Sequence, residues 1–299
     1  MKCRGVVYLS GRYVPEDKAL VSVFDRGFTY GDGLFETMKT INGSVAFKKE
    51  HLARLKKGVR ALRINISAIE PLFNDISNGA LEKLLDKNGL DAVAASLRIS
   101  VTRGIGGQWQ GHTPSSLCKP TTVITVKPID AKAIALYQKQ GVSAVYITGY
   151  APLLPGIKSL NFLPNVLGKG EAIRRGAMEG IFIGKDGLIS EGTSTNVFIV
   201  KDNVLKTPLS EDADGRAALP GVMRAKVCQA AARLGIRVSF SCIRASDLEG
   251  ADEAFLTNSI LEVVPLICIE KKPVSNAKRG ALTALIQKQI GCLSHGQHL

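Results

Sequence analysis

Residues 95–102, ASLRISVT, set Leu97, Ile99 and Val101 on one side and Arg98, Ser100 and Thr102 on the other. This alternation reads as a strand with one buried face and one polar face. Two hairpin signals accompany it. Val6–Leu9 and Arg12–Val14 flank Ser10-Gly11, and Thr37–Ile41 and Ser44–Phe47 flank Asn42-Gly43, a pair suited to a tight two-residue turn. Lys49–Arg63 carries Leu52, Leu55, Val59 and Leu62 at helical spacing. Ile69–Asn88 reads as another helix through Leu72, Ile76, Leu81, Leu84 and Leu85.

Residues 103–120 are rich in Gly, Gln, Ser and Pro, lack periodicity, and should form a long loop of the kind that often serves function. A strand is expected at 121–126, and Lys127-Pro128 reads as a domain boundary. Beyond it we expect strands at 142–148, 180–184, 195–200 and 236–241, helices at 162–175 and 222–234, and a strand-like run at 253–269. Strands and helices mix without a strict βαβ repeat. The expected class is therefore α+β, with a small α+β domain over 1–127 and a larger, strand-rich, barrel-like domain over 128–299.

The chain has 299 residues, is 45% hydrophobic and carries a formal charge of +13. Its basic residues are dispersed and no nucleic-acid motif accompanies them. A solvated basic surface, with steering of a small anionic substrate, is the expectation, and a nucleic-acid partner is not. The cysteines at 3, 118, 228, 242, 268 and 292 form no CxxC pair and do not cluster with histidine, so no metal site is expected. Scattered single cysteines without a secretory signal or membrane-length apolar stretch point to free thiols, no membrane association and a cytoplasmic location.

Four segments could carry chemistry. In GIKSLNFLPNVLGKGEA (156–172), Lys158 follows an apolar run and lies just ahead of a helix start. Desolvation and the positive end of the helix both favour a neutral amine, the form needed for attack on an aldehyde. The alternative is a snorkelling surface lysine. In GLISEGTSTNVF (187–198), Glu191 precedes hydroxyl and amide residues that could keep it ionised; the alternative is an exposed turn. In ALPGVMR (218–224), Pro-Gly before a helix leaves backbone N–H groups for an anion. In HLARL (51–55), Arg54 could reach a phosphate or simply lie on the surface.

Taken in order, with FDRGFTYGDGLFET (24–37), TRGIGG (102–107) and ADEAFLTNSILEVVP (251–265), these segments resemble the class IV (fold type IV) aminotransferase family over nearly the whole chain. The resemblance implies pyridoxal 5′-phosphate as cofactor. Lys158 would hold it covalently and shuttle the proton, and Glu191 would pair with its ring nitrogen. Arg54, the backbone of Val222 and Met223, and Asn258 with Ser259 would hold its phosphate. Relatives often carry Thr where Met223 stands, so one hydroxyl contact is missing here. A homodimer is also implied.

Within the family, Phe35 replaces the Tyr that D-amino acid aminotransferases carry after the GDG turn, and Gln108 stands in a loop without their central Arg. Thr257-Asn258-Ser259 departs from the Gly-Thr-Ala-Ala type of segment in branched-chain aminotransferases. The segment is similar to that of 4-amino-4-deoxychorismate lyases, where Asn is common at position 258. Arg98 falls where those lyases carry a basic residue for a substrate carboxylate. The resemblance thus implies a lyase producing 4-aminobenzoate and pyruvate, with Phe35, Arg98 and Gln108 facing substrate. A branched-chain or D-amino acid aminotransferase is the alternative.

Overall fold

A computed structural model describes residues 5–106, 118–210 and 218–294. The chain divides into two compact units. The first takes the chain up to Asp130 together with Ile157–Asn161, and the second takes Ala131–Gly156 and Phe162 onward. Both mix helices with sheet, so the class is α+β.

In the first unit, β1 (Val6–Leu9) and β2 (Arg12–Pro15) form a hairpin, followed by the short α1 (Arg26–Tyr30). Next come β3 (Gly33–Ile41), β4 (Ser44–Val45), α2 (Lys48–Ala61), α3 (Ile66–Ser77), α4 (Ala80–Lys87), β5 (Ala95–Thr102) and β6 (Thr122–Pro128). The sheet runs β2-β1-β6-β5-β3-β4 and is antiparallel throughout. Asn42 (φ 47°) and Gly43 (φ 75°) both take the left-handed conformation that a tight hairpin turn requires. Leu97, Ile99 and Val101 are fully buried, as the alternation predicts, and pack with Leu34, Met38, Leu55, Val59 and the apolar faces of α3 and α4.

The single helix expected over Ile69–Asn88 is two helices. Gly79 sits at φ +87°, a conformation that L-residues adopt only with strain, and it breaks the run between α3 and α4. The boundary expected at Lys127-Pro128 falls inside β6, where Pro128 still pairs with Ala95, and the chain leaves the unit only after Asp130.

The second unit contains α5 (Ala131–Gln140), β7 (Val142–Ile147), α6 (Leu163–Arg174), β8 (Glu179–Ile183), β9 (Leu188–Gly192), β10 (Asn196–Lys201) and β11 (Val204–Thr207). It continues with α7 (Val222–Arg233), β12 (Arg237–Phe240), β13 (Ile243–Arg244), α8 (Ala245–Glu249), β14 (Glu253–Asn258), β15 (Glu262–Ile269), β16 (Lys272–Pro273) and α9 (Ala281–Ser294). Its mixed sheet runs β12-β11-β10-β14-β15-β7-β8-β9-β13, with β16 against β15, and curls as a half-barrel. The run at 253–269 is thus a hairpin of two strands. Among the described residues, no helix is long and apolar enough to cross a membrane.

The buried face of β5 carries the first unit's core. Ile99→Ala should lower unfolding stability by about 3 kcal/mol in a denaturant titration, because the cavity forms among well-packed neighbours. Ser100→Ala, on the other face, should change it by no more than about 0.5 kcal/mol.

Candidate active site

Lys158 belongs to the first unit, not to the domain beyond residue 128 where it was expected, because its segment is stitched to the start of β3. The Phe35 N–H donates to the Lys158 carbonyl (3.0 Å), and the Leu160 N–H donates to the Gly33 carbonyl (2.9 Å). Gly33 permits this approach. A Cβ there would lie 2.5 Å from the Val101 carbonyl oxygen and 2.7 Å from the Leu160 side chain. Above this junction the Lys158 Nζ lies 4.4 Å from the centre of the Phe35 ring, and the Arg98 guanidinium carbon lies 3.8 Å from the same ring. The register pairs Phe35 with Ser100 and Thr37 with Arg98, so all four share one face of the sheet. Arg98 Nε donates to Ser100 Oγ (3.3 Å). Burial pushes the Arg98 guanidinium below its ordinary value. Among the described residues, no carboxylate pairs with it.

The other face of β3 holds a carboxylate that the sequence reading missed. Glu36, between Leu34 and Met38, is 1% exposed. It accepts from Arg54 Nε at Oε1 and from Arg54 Nη2 at Oε2, both at 2.7 Å, and its Oε2 lies 2.7 Å from His51 Nδ1. Burial alone would raise the Glu36 pKa. The hydrogen bonds and charges of Arg54 and His51 outweigh that and hold it at about 2. Burial pushes the His51 ring below its ordinary value, against the opposing pull of its hydrogen bond to Glu36. Arg54 is therefore held by a two-point ion pair rather than spread on the surface. A signal was present: Glu36 falls on the apolar side of its strand's alternation, and His51 and Arg54 are three residues apart on one helix face.

In the second unit, Glu191 ends β9 and is 7% exposed. Its Oε2 accepts from the Leu219 N–H (2.9 Å) and from Asn196 Nδ2 (3.3 Å). The hydroxyls expected around Glu191 serve another acid. Thr193, Ser194 (2.7 Å) and Thr195 (3.2 Å) all donate to Glu179, a fully buried carboxylate that also takes the Gly180 N–H (2.9 Å). Glu179 thereby fixes the loop after Glu191. Asn258 ties the turn after β14 to that loop: Nδ2 donates to the Ser194 carbonyl (3.2 Å), and Oδ1 accepts from Ile260 (2.9 Å) and Leu261 (2.7 Å). Ser259 is the next residue of this turn. Val222 and Met223 open α7, whose N-cap is Gly221 and which no side chain among the described residues caps.

Much of FDRGFTYGDG is architectural. Asp25, fully buried, accepts from Gly27 N–H (2.7 Å), Thr102 Oγ1 (2.9 Å) and Thr121 Oγ1 (2.6 Å). Asp32 pairs with Arg26 (2.9 Å) and Arg103 (2.7 Å). The structure thus brings Phe35, Arg98 and Lys158 together, with Arg54 in the same unit. Glu191, Val222, Met223, Asn258 and Ser259 lie in the second unit, and Gln108 lies outside the described residues.

The family model for amino-transferase class IV matches residues 33–268. The chain belongs to this family. It is 34% identical over 288 residues to a Methanocaldococcus jannaschii protein provisionally described as a branched-chain-amino-acid aminotransferase, covering 95% of this chain and 94% of that one. It is 30% identical over 296 residues to the aminodeoxychorismate lyase of Bacillus subtilis, covering 97% and 96%. Among solved structures, the branched-chain amino acid aminotransferase of Escherichia coli superposes with a TM-score of 0.86 at 28% identity, covering 99% of this chain and 96% of that one.

The second unit fits a phosphorylated pyridine cofactor on its own evidence. The uncapped α7 offers backbone donors, a buried carboxylate stands at Glu191, and Thr257 is a buried hydroxyl with no hydrogen-bond partner among the described residues.

Glu36 gives a pH signature. Because its pKa is depressed from 4.5 to about 2, its stabilisation is complete above about pH 4.5 and is lost as pH falls toward 2. Glu36→Gln should lower stability near neutrality by roughly 3 kcal/mol and flatten the stability slope across that window in acid-unfolding curves.

Proposed function

We propose that the chain is a lyase converting 4-amino-4-deoxychorismate into 4-aminobenzoate and pyruvate. Pyridoxal 5′-phosphate is its cofactor. Arg98 carries the lyase reading. It is a half-buried guanidinium stacked on Phe35 beside the Lys158 amine, without a carboxylate partner among the described residues. Such a cation suits a substrate carboxylate close to the amine. Asn258 and the likeness to the B. subtilis lyase support the same reading.

When bound, the cofactor supplies an aldehyde for the substrate amine and a ring that withdraws electrons from the carbon bearing that amine. Lys158 removes the proton from this carbon. The electron pair expels the enolpyruvyl oxygen from the neighbouring carbon, the substrate ring becomes aromatic, and the leaving enolpyruvate takes up a proton to become pyruvate. Arg98 holds a substrate carboxylate, and Phe35 fixes the guanidinium. Glu191 would keep a proton on the cofactor's ring nitrogen. In the second unit the amides of Val222 and Met223, with Asn258 and Ser259, would hold its phosphate, and Arg54 would supply a cation to it. The partner is a small anionic substrate, and the proposed location is the cytoplasm.

A second reading, transamination of a branched-chain amino acid, is favoured by the M. jannaschii relative and the E. coli structure. It uses Lys158 and Glu191 in the same places. We also propose that the chain pairs with a second copy. Leu20, Val23, Phe24 and Phe28 are 64–80% exposed along one short stretch of the first unit, an apolar surface of the kind that oligomers cover.

Purified holoprotein given 4-amino-4-deoxychorismate should release 4-aminobenzoate and pyruvate in equal amounts, followed by chromatography. Arg98→Leu should raise KM about a hundredfold. Bleaching of the cofactor absorbance by leucine or valine alone, with no 4-aminobenzoate formed, would instead establish the transaminase. Light scattering should give twice the mass of one chain, and Phe24→Asp with Phe28→Asp should reduce it to one.

A further inference from the structure

Among the described residues, the first amides of α7 have no acceptor. Val222 follows Gly221, no side chain among the described residues caps the helix, and the first amides of a helix have no partner within it. A helix N-terminus alone does not define a ligand. Thr257 adds an independent observation. It is 1% exposed, and among the described residues its Oγ1 has no hydrogen-bond partner. Burying a hydroxyl unpaired is costly, so an orphan of this kind marks a missing acceptor.

The sheet register sets Thr257 beside a residue whose side chain contacts the helix start. Thr257 on β14 pairs directly with Asn196 on β10, and directly opposed residues share a face. The Asn196 side chain in turn lies against the entry to α7. Its Nδ2 donates to the Leu219 carbonyl (2.9 Å), and a Cβ on Gly221 would lie 2.0 Å from its Oδ1. Phe198 and Phe255, the next residues on that face of the same two strands, stack with ring centres 4.9 Å apart and form an apolar floor beside it. Met223 itself brings no hydroxyl to the helix start.

We propose that Thr257 is a phosphate ligand, donating its hydroxyl to a phosphate monoester held by the Val222 and Met223 amides. The proposal deepens the cofactor reading and rests on the phosphate lying at the α7 N-terminus. An anionic oxygen there gives the buried hydroxyl the acceptor it lacks.

Thr257→Val keeps the shape and removes only the hydroxyl. In the apoprotein it should leave the melting temperature unchanged or raise it, since an unpaired buried polar group disappears. In spectroscopic titrations the variant should bind pyridoxal 5′-phosphate about tenfold more weakly than wild type. Pyridoxal, which lacks the phosphate, should bind both equally. Thr257→Ser should retain wild-type affinity for the phosphorylated form. Unchanged affinity of Thr257→Val for pyridoxal 5′-phosphate overturns the proposal. So does an equal loss for both ligands with a lowered apoprotein melting temperature, which marks a packing role. Wild-type protein that binds the two ligands equally well overturns the phosphate site itself, a failure separate from that of Thr257.

Discussion

Two backbone hydrogen bonds, Phe35 N–H to the Lys158 carbonyl and Leu160 N–H to the Gly33 carbonyl, seat the key lysine on the edge of a strand. A lysine side chain has four rotatable carbons and gains little direction from its own sequence neighbours. Direction here comes from the backbone it hangs on. β3 is held by β5 along its length, and its start is fixed by Asp25 and Asp32, each gathering donors from several segments. The close approach needs glycine at 33, which explains part of the GDG turn. Once the segment is seated, Phe35 meets Lys158 on one side and Arg98 on another, and the amine and the guanidinium share one aromatic neighbour.

Buried carboxylates organise the rest. In a chain with formal charge +13, Glu36, Glu179 and Asp25 are each nearly or fully removed from water, and each is surrounded by donors. A buried acid is tolerated only when its oxygens are satisfied, and removing a partner leaves an expensive charge. Each of these acids dictates a position. Glu36 orients Arg54, Glu179 collects the three hydroxyls of the loop after Glu191, and Asp25 joins α1 to β5 and to the segment before β6. Functional groups held this way are preorganised.

What was legible in the sequence was local or periodic. The alternation at Leu97, Ile99 and Val101 and the Asn42-Gly43 turn read directly, because strand pleat and turn conformation are written in adjacent residues. The order of motifs carried the family resemblance, which the family model over residues 33–268 bears out. What escaped depends on pairings distant in sequence. Glu179 meets hydroxyls 14 to 16 residues onward across a strand pair. The Thr-Ser-Thr run was assigned to Glu191 because it follows that residue in sequence, whereas the turn carries it to another acid. The break at Gly79 was hidden by apolar residues that keep helical spacing on both sides of it. The membership of residues 157–161 in the first unit follows from strand-edge pairing, for which the local sequence has no marker.

In the proposed reaction Lys158 is the amine that the cofactor engages. Borohydride reduction of the holoprotein, followed by proteolysis and mass spectrometry, tests this directly. The phosphopyridoxyl mass should appear on the peptide containing Lys158 and disappear in Lys158→Ala. The label on Lys169 or any other lysine, with Lys158 unmodified, would contradict it.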